Sequence, residues 1–534
     1  MNDRSTHMAV IGAGPVGLAV ARALLQHSIP YEQLEADDDL GGNWYHGVYE
    51  TAHIISSRKT TEYADFPMPA EFPDFPSAQQ MLEYLNSYAE VFKLRPHIQF
   101  RTKVLMCLPA PHAAAALPAP KNNPVATAPG SDRTLDIGRW ALDIANDPVA
   151  TAPGSDKKQH PVATAPGSDR TLDIGRWTLD SSCGPVATAP GSDKLGDGRW
   201  EVELANGEKR IYKGVIVCSG HHWDKRFPNY AGKFTGEYIH SKDYKNPQQL
   251  KDKRVLVIGG GNSACDLAAE AARVGRSCDL SLRRGYWFLP KFLFGVPLPE
   301  LVPSWVPVWA QRLFLKVVLK VAVGKYEDYG LPKPDHRIFE AHPTLNSEIL
   351  HYVKHGRIRP RPDVERFEAR RVVFADGSSA EFDMVVCGTG FHLSFPFLPQ
   401  GLVPVEGSNA LLYGGCTLPD YKNLYIVGTP QVRYGFGPLI TPAAALLCRL
   451  INLQDQMELP IGLVLKESGA QPPTTHLVDP HKALRQMRYA KYTLPLLIRK
   501  ERKLRQRIKP AAARVVSGNS AGDLRRVSPD MKIF

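Results

Sequence analysis

The sequence predicts an α/β fold of two Rossmann-like dinucleotide-binding domains, the second inserted into the first, with a repeat insertion besides. Three observations carry this expectation. A strand, glycine turn and helix open the chain, a second such unit begins near residue 254, and short strands running into glycine stand on either side of it.

From Met8 an apolar strand runs into GAGPVG, then a helical stretch LAVARALLQHSI, then a second strand YEQLE that ends on an acid. This is a βαβ unit. Gly12 permits the tight turn, Gly14 lets the backbone approach a pyrophosphate, and Gly17 permits close packing of helix on strand, with the helix N-terminus facing negative charge. Glu35, 23 residues after Gly12, is the candidate ribose carboxylate. Just beyond, LGGNW places Gly41, Gly42 and Trp44 in a loop that can lie against a flavin.

Between the two units PVATAPGSD occurs four times, starting at Pro124, Pro148, Pro161 and Pro185. Residues 124–160 and 161–197 form a tandem copy of 37 residues, identical at 29 positions. Rich in Pro, Gly, Ala and Ser and without an amphipathic helical pattern, the unit does not read as a helical solenoid. It reads as an inserted repeat, about 109–197, which either extends a β-hairpin or stays disordered, and it is assigned no chemistry. DGRWEVEL, Asp197 to Leu204, alternates as a genuine strand does.

In the second unit, RVLVIGGGNSACDLAAEAARVG, the turn glycines are Gly259 and Gly261 with Ala264 in third place, and Asn262 and Ser263 open the helix. Its second strand ends on Arg283 and Arg284, 24 residues after Gly259. A carboxylate there would repel a 2′-phosphate, whereas a guanidinium offers it planar, charged hydrogen bonds, so NADPH is favoured over NADH. A solvated basic turn is the plain alternative. VIVCSG, Val215 to Gly220, and MVVCGTG, Met384 to Gly390, are read as the exit from the outer domain and the return to it. The expected boundaries are therefore 1–220 and 384–450 for the outer domain, 221–383 for the inner one, and 451–534 for a basic C-terminal extension.

Of the formal charge of +11, the segment Lys482 to Phe534 holds a net +12, with fifteen Lys or Arg against three acids. The basicity is a property of the tail, and no nucleic-acid partner is expected. The tail is either a solvated extension or a contact for anionic lipid. Eight scattered cysteines form no CxxC and no metal-spaced cluster, so neither a disulfide framework nor a metal site is expected. Met1 to His7 lack a signal-peptide core, and a cytoplasmic location is expected, with peripheral membrane contact left open. The apolar stretch from Leu301, with Arg312, Lys316 and Lys320 at four-residue spacing, reads as an amphipathic helix rather than a span. It either packs on the protein over a substrate channel or rests on a membrane surface.

Between the nucleotide motifs stands FTGEYIHSKDYK, in which Phe234, Gly236, His240, Tyr244 and Lys245 match the FxGxxxHxxx(Y/F)(K/R) fingerprint of the flavin-containing monooxygenases. YADFPMPAEFPDFPSAQQMLEYLNSYAEVF, LSLRRGYWFLPK, GLPKPDH, AHPTLNSEIL and CGTGF also resemble segments of that family, from Met8 to about Leu450 apart from the repeats. The related Baeyer-Villiger enzymes usually carry Trp where Tyr244 stands. The resemblance implies an FAD- and NADPH-dependent enzyme that inserts one atom of O2 into a small nucleophilic molecule, at nitrogen or sulfur, through a C4a-hydroperoxyflavin. It further implies that Gly12, Gly14, Gly17, Glu35, Gly42 and Trp44 hold FAD, that Gly259, Gly261, Asn262, Ser263, Arg283 and Arg284 hold NADPH, and that Gly390 lies at a cofactor. His240 and Tyr244 are expected to brace the domains, with His240 also a catalytic candidate.

One departure from the family matters. Where members commonly carry an Asn beside the flavin, IISSRKTTEYADFP places Ile55, which donates no hydrogen bond. Ser56 or Ser57 then substitutes, or oxygen leaks away as hydrogen peroxide. An NADPH oxidase or reductase of the same fold, and a nucleotide-binding regulator without turnover, remain the competing readings. The oligomeric state, a homodimer included, is not fixed by the sequence.

Overall fold

The computed structural model describes residues 2–110, 198–301, 306–474 and 477–517, with side chains described as far as residue 507. The tandem repeats fall outside these residues.

The first sheet is built from β1 (Asn2–Ile11), β2 (Tyr31–Leu34), β3 (Ile98–Gln99), β4 (Val104–Pro109), β5 (Trp200–Leu204) and β6 (Lys209–Val217), in the order β3-β2-β1-β6-β5-β4. β1, β2 and β3 run parallel, as helical crossovers require, and β1 also runs parallel to β6. β1 feeds α1 (Pro15–Gln26), whose proline at its start fits a position where no N–H is needed. Leu18, Val20 and Leu24 of α1 pack with Tyr84 and Tyr88 of α2 (Ala78–Val91) into one core on one face of the sheet. The described residues on either side of 111–197 are brought together, since β4 and β5 are antiparallel neighbours with Pro109 opposite Trp200, and Ala110 N–H donates to Arg199 O at 2.9 Å.

A second sheet, entirely parallel, comprises β7 (Glu237–His240), β8 (Arg254–Ile258), β9 (Ser277–Ser281), β10 (Ile358–Arg361) and β11 (Met384–Cys387), in the order β10-β9-β8-β11-β7. The helix α3 (Asn262–Val274) covers one face through Ala264, Leu267, Ala268 and Ala271. A four-stranded sheet carrying Phe234, Phe367, Val372 and Phe374 covers the other. Such double coverage explains why β8 and β11 are apolar at nearly every position. Between β9 and β10 the crossover holds α4 (Val308–Ala322), which buries Gln311, Leu315 and Leu319. No helix among the described residues is long and apolar enough to cross a membrane.

β11 corrects the expected division of the chain. Met384–Cys387 is not the first strand of a returning outer domain but a central strand of the inner sheet, with Val255 opposite Met384. VIVCSG and MVVCGTG look alike because they hold equivalent places in two separate sheets, each beside the strand that feeds a glycine turn. The chain itself passes between the sheets as a ribbon in which Asp224–Lys225 pairs antiparallel with Phe391–His392. It rejoins the first sheet at β12 (Leu424–Ile426), parallel to the end of β6.

The boundary drawn at 450 also differs from the structure, because α5 (Gly437–Gln454) runs through it and packs on α1. Three further helices follow, α6 (Ile461–Glu467), α7 (Pro480–Thr493) and α8 (Leu496–Ser517). The basic C-terminal segment is not a detached extension as far as Arg507. Leu494 and Leu497 join the core that holds Leu18 and Leu24, and the buried Glu501 accepts hydrogen bonds from Glu458 N–H at 2.8 Å and Leu459 N–H at 3.0 Å. Glu501→Ala strands two backbone donors, so a loss of about 2 kcal/mol in stability is expected in urea unfolding of the full chain; an unchanged midpoint would show that α8 does not dock through this carboxylate.

Candidate functional site

Both glycine turns owe their shape to a bare Cα. At Gly12, φ is +103°, and a Cβ there would lie 2.7 Å from Cys218 O at the end of β6. At Gly259, φ is +121°, and a Cβ would lie 2.4 Å from Gly388 O just after β11. In each case the chain reverses against the neighbouring strand's exit, where a side chain finds neither room nor a relaxed backbone. Gly17 lies as close on the helix side, with a Cβ 2.1 Å from Gly12 O.

The helices that follow are open at their N-termini. Gly14 and Gly261 are the N-cap residues of α1 and α3, and neither helix has a side-chain cap. Their first N–H groups are left to an external acceptor, and the helix dipole favours an anion there. At Gly261 nothing stands within 4 Å of where a Cβ would sit, and at Gly14 only the Cα of Gly42 does, at 3.8 Å. The Gly41–Gly42 loop thus closes on the first turn, held by Gly41 N–H to Ala13 O at 3.0 Å.

Glu35 is buried at the end of β2, where its carboxylate accepts from Ala13 N–H at 2.5 Å and from Asp37 N–H at 3.0 Å. Burial raises its pKa from the ordinary value, against those two hydrogen bonds. Donors from a ribose favour the charged form, so sugar binding and ionisation of Glu35 assist each other. Beside Gly12, Ser219 Oγ is buried without a partner among the described residues. Open helix termini, a carboxylate and an orphaned hydroxyl around one turn fit a dinucleotide such as FAD.

At the second turn Asn262 Oδ1 accepts from Leu345 N–H at 2.8 Å, which fixes the start of α3, while Ser263 is exposed. Arg283 and Arg284 are exposed at the end of β9 and form no ion pair among the described residues. Arg284 stands over the Tyr286 ring, 5.5 Å from its centre, and that ring covers Gly260. Two unpaired guanidiniums 24 residues past the first glycine fit the 2′-phosphate of NADPH.

The fingerprint residues join the two halves. His240 ends β7, fully buried; its Nε2 bonds Gly390 O at 2.9 Å and its Nδ1 accepts from Lys242 N–H at 3.2 Å. That pair of partners fixes the tautomer with the proton on Nε2. With both nitrogens engaged by backbone, the ring has no valence left for a substrate, so the geometry places His240 as a brace rather than at the chemistry. Gly390 itself lies in the interdomain ribbon at φ +79°. Tyr244 OH donates to the buried Glu270 of α3, and Lys245 Nζ donates to His46 O at 2.7 Å.

Five residues that sequence reasoning did not single out complete this joint. Tyr49 OH donates to Asp266 Oδ2 of α3 at 3.1 Å, Asn346 Nδ2 donates to Asp266 Oδ1 at 2.8 Å, and Lys242 Nζ donates to Asn43 Oδ1 at 3.3 Å. Trp44 packs against the cores of both sheets. Tyr49 and Asp266 are 217 positions apart, a pairing that no local pattern signals.

Ser56 and Ser57 are spoken for by neighbours. Ser56 Oγ lies 2.7 Å from Thr61 Oγ1, and Ser57 Oγ, fully buried, lies 3.1 Å from Thr60 Oγ1. In the Ser56–Thr61 pair either hydroxyl can be the donor, so one O–H hydrogen of that pair is left over.

Two outcomes test the site. Burial holds the His240 pKa below its ordinary 6.5, so its contribution is full above pH 6.5 and lost as pH falls through the folded value. His240→Asn should therefore cost about 1 kcal/mol near neutrality and show a shallower loss of stability below pH 6.5, read from urea midpoints; equal slopes would show that the fold does not hold His240 neutral. Arg283→Ala should weaken NADPH about tenfold or more and leave NADH nearly untouched, measured by reduction kinetics, and equal losses would reject the 2′-phosphate contact.

Comparison with known proteins gives a consistent picture. A family model described as flavin-binding monooxygenase-like matches residues 5–116 and 186–431. The chain is 27% identical over 465 residues to flavin-containing monooxygenase 5 of Oryctolagus cuniculus, covering 82% of this chain and 70% of that protein. It is 26% identical over 456 residues to flavin-containing monooxygenase 3 of Rattus norvegicus, covering 79% and 70%. Among solved structures, a flavin-containing monooxygenase from Stenotrophomonas maltophilia matches with a TM-score of 0.52 and 19% identity over 85% of this chain and 99% of that one. OTEMO in complex with FAD and NADP matches with a TM-score of 0.60 and 15% identity over 92% and 98%.

Proposed function

The chain belongs to the flavin-binding monooxygenase-like family, and on that premise we infer the reaction that its residues serve. It is an FAD- and NADPH-dependent monooxygenase that uses O2 and a small molecule. The acceptor we assign is a soft nitrogen or sulfur nucleophile. The observation that carries the two-cofactor reading is the pair of uncapped helix N-termini, α1 and α3, each behind a glycine turn and linked through the fingerprint segment.

Bound FAD would supply the redox chemistry, taking two electrons from NADPH so that one atom of O2 goes to the substrate and the other leaves as water. The protein's part is positional. The N–H groups at Gly14 and Gly261 would hold the two pyrophosphates, Glu35 would accept from the ribose of the first nucleotide, and Arg283 with Arg284 would select the phosphorylated ribose of the second. His240, Tyr244, Lys245 and the Tyr49–Asp266 bond keep the Trp44 loop against α3, and so keep the two nucleotides at a fixed approach. Ile55 itself offers no hydrogen-bond donor, and Ser56 and Ser57 are each paired with a threonine hydroxyl. We read this as a site in which part of the reducing power escapes as hydrogen peroxide.

We also propose a cytoplasmic location with a peripheral contact to a membrane surface, for which the exposed apolar side of α4 is the support.

The test is a balance sheet of NADPH oxidised, product formed and peroxide released, taken with a panel of tertiary amines and thioethers. An oxygenated product is expected, with a measurable peroxide fraction that Ile55→Asn lowers about twofold or more. Peroxide equal to NADPH for every substrate, with the variant unchanged, would leave an NADPH oxidase instead.

A further inference from the structure

The crossover between β9 and β10 carries an apolar surface that the nucleotide sites do not use. α4 turns Gln311, Leu315 and Leu319 inward, yet its outer side is not polar. Trp309, Leu313, Val317 and Val321 recur at every fourth residue there, exposed by 69%, 58%, 55% and 84%. Such spacing sets them in one stripe along the helix. Beside them a hairpin, Phe292–Leu293 with Val296–Pro297, exposes Phe292, Val296 and, at its tip, Phe294 at 84%. Leu289 and Leu298, which flank the hairpin, share a core with Leu315 and Leu319, so hairpin and helix stand on one base. Of the sixteen large apolar side chains exposed among the described residues, eight lie between Phe292 and Val321, which makes this a concentrated patch rather than ordinary scatter.

Its rim is cationic. Lys316 and Lys320 lie one row over from the stripe, exposed and without an ion pair among the described residues. The basic helix α7 begins next to α4, since Leu477, in the strand before it, sits in the core with Leu315 and Leu319. Tyr489 and Tyr492 are exposed along α7, with Lys491 over the Tyr492 ring. A second copy of the chain would bring the same uncompensated cations to the edge of a shared contact, whereas anionic headgroups neutralise them while the acyl boundary takes the stripe. An aromatic at the helix start and lysines beside the apolar row are suited to that boundary.

We propose that α4 and the Phe292–Pro297 hairpin lie in the headgroup region of a bilayer containing anionic lipid, the apolar stripe inserted and Lys316 and Lys320 among the headgroups. This deepens the peripheral-membrane reading above and rests on it. The FAD-loaded full chain is sedimented with vesicles of phosphatidylcholine alone or with about a third phosphatidylserine. The wild type is expected to prefer the anionic vesicles. Leu313→Asp with Val317→Asp should lower the bound fraction at least about tenfold, and Lys316→Glu with Lys320→Glu should abolish the anionic preference, both with unchanged melting temperature and NADPH oxidation. Undiminished binding of the Asp variant would overturn the proposal while leaving a peripheral contact elsewhere, such as α7 and α8. No binding of the wild type to either vesicle would remove the peripheral reading as well, and a wild-type dimer dissociated by the Asp variant would assign the stripe to a second copy.

Discussion

The whole arrangement depends on one contact made twice: a glycine Cα set against a backbone carbonyl at the end of the adjacent parallel strand. Gly12 meets Cys218 O and Gly259 meets Gly388 O at distances that admit no side chain. Because the turn can lie that close, the following helix starts directly above the strand ends, and its bare N-terminus faces the crevice between them. Every later assignment, from the ribose carboxylate at Glu35 to the guanidiniums at Arg283 and Arg284, takes its position from these two turns.

What couples the two turns is a set of polar contacts set beside apolar packing, in which Tyr49, Ala52 and Ala78 join the core of the inner sheet. Tyr49 and Tyr244 reach Asp266 and Glu270, one helical turn apart on α3, and their rings lie 5.6 Å apart. Burial raises the pKa of Asp266, and its bonds to Tyr49 and Asn346 act against that rise. Buried polar groups of this kind are costly unless all are satisfied, and when satisfied they fix one relative placement of the segments that carry them. His240 adds the same kind of constraint to the ribbon at Gly390.

The features legible in the sequence are those whose partners lie nearby in the chain. Gly12, Gly14, Gly17 and Glu35 fall within a single βαβ unit, and so do Gly259, Gly261 and Arg283. The Tyr49–Asp266 bond was not legible, because its two ends come from different domains and neither residue belongs to a glycine motif. Met384–Cys387 was assigned to the wrong sheet for an opposite reason, since identical mechanical duties give VIVCSG and MVVCGTG similar composition. In the tail, counting charge concealed the few positions, Leu494, Leu497 and Glu501, that decide where the helix goes. The outward stripe of α4 was half legible: the spacing of its cations announced an amphipathic helix but could not say that its apolar residues face both ways.

β6 has a consequence for assembly. It pairs with β1 along most of its length, with β5 over its first half on the other side and with β12 over its second, so the outer sheet lacks a strand until Leu424–Ile426 arrives. All five strands of the inner sheet lie between Glu237 and Cys387. On a ribosome the inner domain is therefore complete while the outer one still waits for its last strand, and domains tend to form as soon as their chain has emerged. The nested layout makes the NADPH half the scaffold on which the first half of the chain is closed, so damage to the inner domain is expected to surface as loss of flavin from the outer one.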